Sequence, residues 1–224
     1  MTVVVPCRDE SGSLPGVLAA VPDGYRVLVV DNGSTDGTAD VARFHGATVV
    51  VQPVPGYGAA VQAGVEAVST DVVCVLDGDG SLDPGELPAL VERLLDGADL
   101  AVGRRMPVAG AGWPLHARVG NAVLAARLRR RFGLDVHDIG AVRAVRTRTL
   151  LGLGVQDRRS GYPLELLVRA GRAGLRVDEV PVTYRPRTAG DSKVSGSAWG
   201  SAVATWDFLK VIRCGIFGVF VDWS

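Results

Sequence analysis

The run Val72-Val73-Cys74-Val75-Leu76 leads directly into Asp77-Gly78-Asp79-Gly80-Ser81, and this junction limits the possible folds more than any other stretch. Five consecutive apolar residues suit a strand buried on both faces, as in a parallel sheet. Glycines between and after the two aspartates permit a sharp turn and a close ligand approach. Ligands of open α/β sheets sit outside the carboxyl ends of the strands. Asp77 and Asp79 are therefore expected on a cleft rim, exposed and unpaired. Two adjacent carboxylates repel unless a cation lies between them. A hard divalent ion fills that role and can hold diphosphate oxygens as well. A plain acidic turn is the competing explanation, because Asp and Gly are common in turns.

The 224 residues suffice for one large domain or two small ones. The 24 acidic and 24 basic residues balance, which argues against a nucleic-acid partner. Cys7, Cys74 and Cys214 have neither zinc nor disulfide spacing and fit a reducing compartment. The chain begins on a strand-like Thr2-Val3-Val4-Val5, so no signal peptide is expected. No apolar run approaches the ~18 residues of a spanning helix. These features predict a cytoplasmic protein, with room for peripheral contact at the inner membrane face.

Strand and helix signals alternate along the first half. Strands are predicted at Thr2 to Val5, Arg26 to Val30, Ala47 to Val51, Val72 to Leu76 and Ala98 to Val102. Helical spacing runs from Leu14 to Val21, from Gly56 to about Val68, and onward from Asp83-Pro84. This alternation indicates a mostly parallel sheet with crossover helices. Three strand ends then carry acids to one edge: Glu10, Asp31, and Asp77 with Asp79. Asp31 can accept hydrogen bonds from a base or ribose, and Arg8 can face phosphate with its planar fork.

Four motifs stand in order: Pro6-Cys7-Arg8-Asp9-Glu10, Asp31 to Thr38, Gly56-Tyr57-Gly58-Ala59-Ala60 and Asp77 to Ser81. Together the set resembles the family 2 inverting glycosyltransferases of the GT-A fold. Within them it is most similar to the polyprenyl- and dolichol-phosphate sugar synthases. The second half adds Gly103-Arg104-Arg105, Asp138 to Arg143 (departing at Ala141 and Val142), Gly161 to Glu165, and Arg187 to Gly196. The resemblance implies a Rossmann-like α/β domain over 1–224, with a nucleotide-sugar half (1–105) and an acceptor half (106–224). It implies donor contacts from Pro6, Arg8, Glu10, Asp31, Gly58, Asp77, Gly78 and Asp79. It implies Mg²⁺ or Mn²⁺ on Asp77 and Asp79, although Ser81 falls where relatives often place Gln.

Transfer from a UDP- or GDP-sugar builds negative charge on a departing diphosphate, which a metal, arginine or lysine stabilises. Asp79, Glu165, Arg187 and Lys193 are the catalytic candidates. A polyprenyl phosphate acceptor is already anionic near neutral pH, with a second pKa of about 6. Arg105, Arg143, Arg187 and Lys193 are its candidate binders. A soluble hydroxyl acceptor instead needs a carboxylate base, for which Glu165 is the candidate; a first-turn helix glutamate is the structural alternative. Arg127, Arg129, Arg130 and Arg131 read as a surface face. The apolar C-terminal stretch from Trp206 to Phe220 suits a membrane interface, a subunit contact in a homo-oligomer, or the core. A sugar nucleotidyltransferase would require a glycine-rich loop after the first strand, and Pro6 to Glu10 has none. A non-catalytic nucleotide-binding partner would not need Asp77, Asp79 and the basic loop.

Overall fold

A computed structural model of the chain describes residues 1–111, 113–140 and 142–189. Ala141, Lys193 with its surrounding loop, Cys214 and the apolar stretch after Trp206 lie outside the described residues.

The five predicted strands form. They are β1 (Thr2–Cys7), β2 (Arg26–Asp31), β3 (Thr48–Val51), β4 (Val72–Val75) and β5 (Leu100–Pro107). Between them run α1 (Leu14–Ala19), α2 (Thr38–Phe44), α3 (Tyr57–Ala67) and, after a 3₁₀ turn at Pro84–Glu86, α4 (Leu87–Leu95). The Asp83 carboxylate caps that turn by accepting the Gly85 N–H at 2.9 Å. The second half contributes α5 (Leu115–Phe132), β6 (Arg143–Arg146), α6 (Thr147–Gly152), α7 (Tyr162–Arg172) and β7 (Val177–Tyr184).

All seven strands join one sheet in the order β3-β2-β1-β4-β6-β5-β7. β1, β2, β3 and β4 pair in parallel, as do β5 and β7, whereas β6 runs antiparallel to both of its neighbours. The fold is α/β with a mostly parallel central sheet flanked by helices. β6 is a departure from the sequence expectation. Its four residues, Arg-Ala-Val-Arg, give no strand signal because an arginine closes each end.

Alternate side chains enter two cores, which accounts for the uninterrupted apolar runs. Val4, Val30, Val73 and Val75 pack on one face with α3, α5 and α7. Val3, Val5, Cys74 and Leu76 pack on the other with α1, α2 and α4. Pro6 lies in an interior strand without cost to the ladder. β4 pairs with β1 only as far as Val4, so β1 has lost one neighbour by the time it reaches Pro6.

α3 comes unusually close to the sheet at Gly64. A Cβ there would fall 2.4 Å from Val4 Cγ1 and 2.9 Å from Val30 Cγ2. Gly64→Ala is expected to force the helix outward and destabilise the protein by about 1–3 kcal/mol despite alanine's better helix propensity. Urea unfolding monitored by circular dichroism checks this, and an unchanged or higher midpoint would contradict it.

Candidate active site

The loops leaving β1 and β2 hold each other. Asp9 N–H donates to Ser34 Oγ, while Asp9 Oδ1 accepts from Thr35 N at 2.8 Å. Glu10 N–H donates to Thr38 Oγ1, and Ser11 N–H to Asp36 Oδ2, both at 2.9 Å. Asp36 also accepts from the Thr38 N–H and hydroxyl. Asn32 Nδ2 donates to the carbonyls of Gln52 and Val54, and its Oδ1 accepts from Gly56 N. The polar turn after β2 is thus a brace that fixes Glu10 and Asp31. A single sequence shows these residues only as turn formers, because their partners lie on another loop.

Glu10, Asp77 and Asp79 meet at the carboxyl edge of β1 and β4, but not as an exposed rim. Asp79 is only 3 % exposed. Its Oδ1 accepts from Ser81 N at 2.8 Å, and its Oδ2 lies 3.0 Å from Arg187 Nη2. The expectation of unpaired, solvated aspartates is corrected at this point. Charges this close require a nearby cation, and the chain supplies one from the segment after β7. Asp77 Oδ1 and Glu10 Oε2 are enclosed with no hydrogen-bond partner among the described residues.

Burial pushes the Glu10 carboxyl from 4.5 up to about 7, and repulsion from Asp79 and Asp77 adds to the rise. Burial likewise raises Asp77 from 3.8 to about 6, with Asp79 adding to it and Arg143, Arg187 and Arg105 pulling back. Tyr57, from the first turn of α3, has its hydroxyl pKa pushed up by burial and by the nearby Asp77 charge, and it was not singled out from the sequence. Its signal is its position inside the Gly56-Tyr57-Gly58 motif.

Several predicted residues have structural occupations. Gly78 makes room for protein, since a Cβ would meet Glu10 Oε2 at 2.5 Å and Cys7 Sγ at 2.6 Å. Gly58 N–H donates to Arg159 O, and a Cβ there would fall 2.3 Å from Asp157 O. Its lack of a side chain lets the 157–159 loop pack against α3. Pro6 is buried in β1. Asp31 is buried as well, with Oδ1 accepting from Ser34 N at 3.2 Å. Arg8 is half-exposed, with its Nε 4.0 Å from Asp9.

The acceptor-side set is divided. Arg105 uses its backbone N–H, Nε and Nη2 on Asp138, and its guanidinium stacks 4.1 Å from the Trp113 ring centroid. Arg143, a predicted acceptor-phosphate binder, is 1 % exposed. Because β6 is antiparallel, its first residue lies level with Val75 and Val102, at the edge where Asp77 emerges. Arg143 Nη2 donates to Gly140 O at 2.6 Å, while Nη1 is buried without a partner among the described residues. Glu165 accepts from Asp157 N at 2.6 Å and Gln156 N at 3.1 Å and pairs with Arg169, so its carboxylate is occupied by its own neighbourhood. Lys193 lies outside the described residues.

A parallel-stranded α/β sheet with clustered acids at its carboxyl edge defines a glycosyltransferase of the GT-A type. The profile for "Glycosyl transferase family 2" matches residues 2–152, more than half of the chain, and the chain belongs to that family. It is 63% identical over 212 residues to an uncharacterized glycosyltransferase of Mycobacterium tuberculosis, covering 95% of this chain and 97% of that one. It is 34% identical to undecaprenyl-phosphate mannosyltransferase of Micrococcus luteus, covering 95% and 93% of the two chains. Among solved structures it resembles glucosyl-3-phosphoglycerate synthase from Mycobacterium tuberculosis in complex with Mn²⁺, UDP and phosphoglyceric acid. That likeness has a TM-score of 0.75 at 25% identity and covers 96% of this chain and 78% of the other.

The raised Glu10 carboxyl has a testable consequence. Between pH 4.5 and about 7 the folded chain retains a proton that the unfolded chain has released, so stability falls as pH rises through that window. Glu10→Gln removes Glu10's share of the dependence and leaves that of Asp77. It is expected to melt about 3 °C or more above the parent at pH 8 and close to it at pH 4.5. Melting curves across the window check this, and a constant offset would contradict it.

Proposed function

We propose that this chain is a metal-dependent, inverting hexosyltransferase that moves a sugar from a UDP- or GDP-sugar to a polyprenyl phosphate. Residues 1–224 would act as one catalytic domain, with peripheral contact at a membrane face where the lipid acceptor resides.

The chain's own residues divide the work. Arg8 would face the donor phosphates, and Asp31 would accept from the base or ribose. Asp77 and Asp79 fit a hard cation, because both offer carboxylate oxygens and one oxygen of Asp77 is buried without a partner among the described residues. Among the described residues no three acidic, histidine or cysteine side chains form a ready cage. That suits Mg²⁺ or Mn²⁺, which binds through one or two carboxylates plus substrate phosphates. When bound, the ion supplies electrostatic stabilisation of the departing diphosphate. Arg187, already at the site, can add a charge-assisted contact to the same oxygens.

The observation that carries the acceptor assignment is the placement of Glu165. Its carboxylate is spent on Gln156, Asp157 and Arg169, so the one sequence-level candidate base is unavailable to a hydroxyl. A phosphate acceptor needs no such base, since it arrives as an anion. The similarity to undecaprenyl-phosphate mannosyltransferase supports the same reading. The likeness to glucosyl-3-phosphoglycerate synthase favours a second one, a soluble phosphorylated acceptor.

Purified protein incubated with UDP-glucose or GDP-mannose and either undecaprenyl phosphate or 3-phosphoglycerate separates the two. Metal-dependent sugar transfer to the lipid is expected, and transfer only to 3-phosphoglycerate would overturn the assignment. Glu165→Gln is expected to keep turnover within about threefold of the parent, whereas a true general base would cost about 10²–10⁴-fold.

A further inference from the structure

Arg187 does not meet Asp79 by a chance surface contact. The segment that carries it is fastened along the Asp79–Leu82 turn. Arg185 N–H donates to Ser81 O at 2.8 Å, and the Thr188 N–H and hydroxyl both donate to Asp79 O, at 3.2 and 3.3 Å. Leu82 and Tyr184 form an antiparallel bridge. Gly80 makes this fit possible: its φ is +73°, and a Cβ there would come within 2.5 Å of Thr188 Oγ1. The backbone therefore delivers the guanidinium to Asp79 Oδ2, where Arg187 keeps 30% of its side chain exposed and Asp79 only 4%. Both oxygens of Asp79 are then in use, one by Ser81 and one by Arg187. Asp77 Oδ1 and Glu10 Oε2 remain buried with no partner among the described residues, so one guanidinium does not satisfy the acids it serves.

We propose that Arg187 is a resident surrogate cation, displaced from Asp79 when the divalent ion enters with the donor diphosphate. This rests on the reading above that Asp79 ligates the ion. A lone ion must shed water and also evict a guanidinium that has nowhere better to go. An ion arriving with diphosphate brings the anion that can take the guanidinium. The acids exchange a single positive charge for a double one, and the freed planar fork turns to phosphate oxygens. Binding is therefore ordered: metal alone binds poorly, and metal with nucleotide binds well. The backbone fastening need not move, because the exchange requires only rotation of the Arg187 side chain.

Mn²⁺ titration followed by the electron paramagnetic resonance signal of the free ion tests the idea, with and without UDP or GDP. Arg187→Met is expected to bind Mn²⁺ alone about tenfold more tightly than the parent, even though it loses turnover. Arg187→Lys, which keeps a shorter point charge, is expected to fall between them, roughly threefold tighter than the parent. With UDP or GDP present the gap closes or reverses. Arg187→Met binding Mn²⁺ alone no better than the parent would overturn the proposal. If that variant does not fold, as judged by its melting curve, an unchanged affinity in Arg187→Lys overturns it equally. Asp79→Asn keeping full Mn²⁺ affinity in the presence of nucleotide would show instead that Asp79 is not a ligand, which removes the underlying reading.

Discussion

Three carboxylates crowded at one sheet edge set the terms for everything around them. β1 and β4 lie side by side and deliver Glu10, Asp77 and Asp79 to the same small volume, away from most of the solvent that would screen them. Like charges in a poorly solvated site either take up protons or recruit cations. Both responses are present. Glu10 and Asp77 hold their protons to higher pH than ordinary carboxyls, and two arginines approach from opposite directions in the chain. Arg187 comes from the segment beyond β7 and touches Asp79, while Arg143 comes from the start of β6, is buried and pulls the Asp77 pKa back down.

This arrangement carries a cost in stability that suits an enzyme handling a charged ligand. On the proposed function, a site that takes a cation and a diphosphate is incomplete without them. Among the described residues, the oxygens of Asp77 and Glu10 and the Nη1 of Arg143 that lack partners are that incompleteness in atomic terms. The surrounding brace of Asp9, Asn32, Ser34 and Asp36 makes it tolerable, because it holds the turns after β1 and β2 by hydrogen bonds. Strain is thereby confined to a few side-chain atoms.

Much of the framework was legible in the chain itself. Apolar runs of four to six residues, separated by helical spacing and turn residues, predicted the first five strands and the parallel pairing of the first four. The Asp-Gly-Asp-Gly junction placed two acids at a strand's carboxyl end, and the ordered motifs pointed to the family. The second half was less readable. β6 carries arginine at both ends, so it gives no period-2 apolar signal, and its antiparallel insertion between β4 and β5 depends on partners far away in sequence. The packing around Gly58 and Gly78 was hidden for a related reason. A glycine beside a motif looks like space for a ligand, and only coordinates show the Asp157 carbonyl or the Cys7 sulfur beside it.

The sequence by itself determined the layers and the direction of the first five strands, because burial on two faces and the turn preferences of Gly, Pro and Asp are local properties. It also determined which edge would carry the acids, since each follows its own strand without interruption. Only the tertiary structure decided the charge state and company of those acids. That outcome depends on distances between residues more than a hundred positions apart: Arg187 against Asp79, and Thr188 over Gly80. Coulomb energy and desolvation vary with separation and burial, and neither quantity is written along the chain.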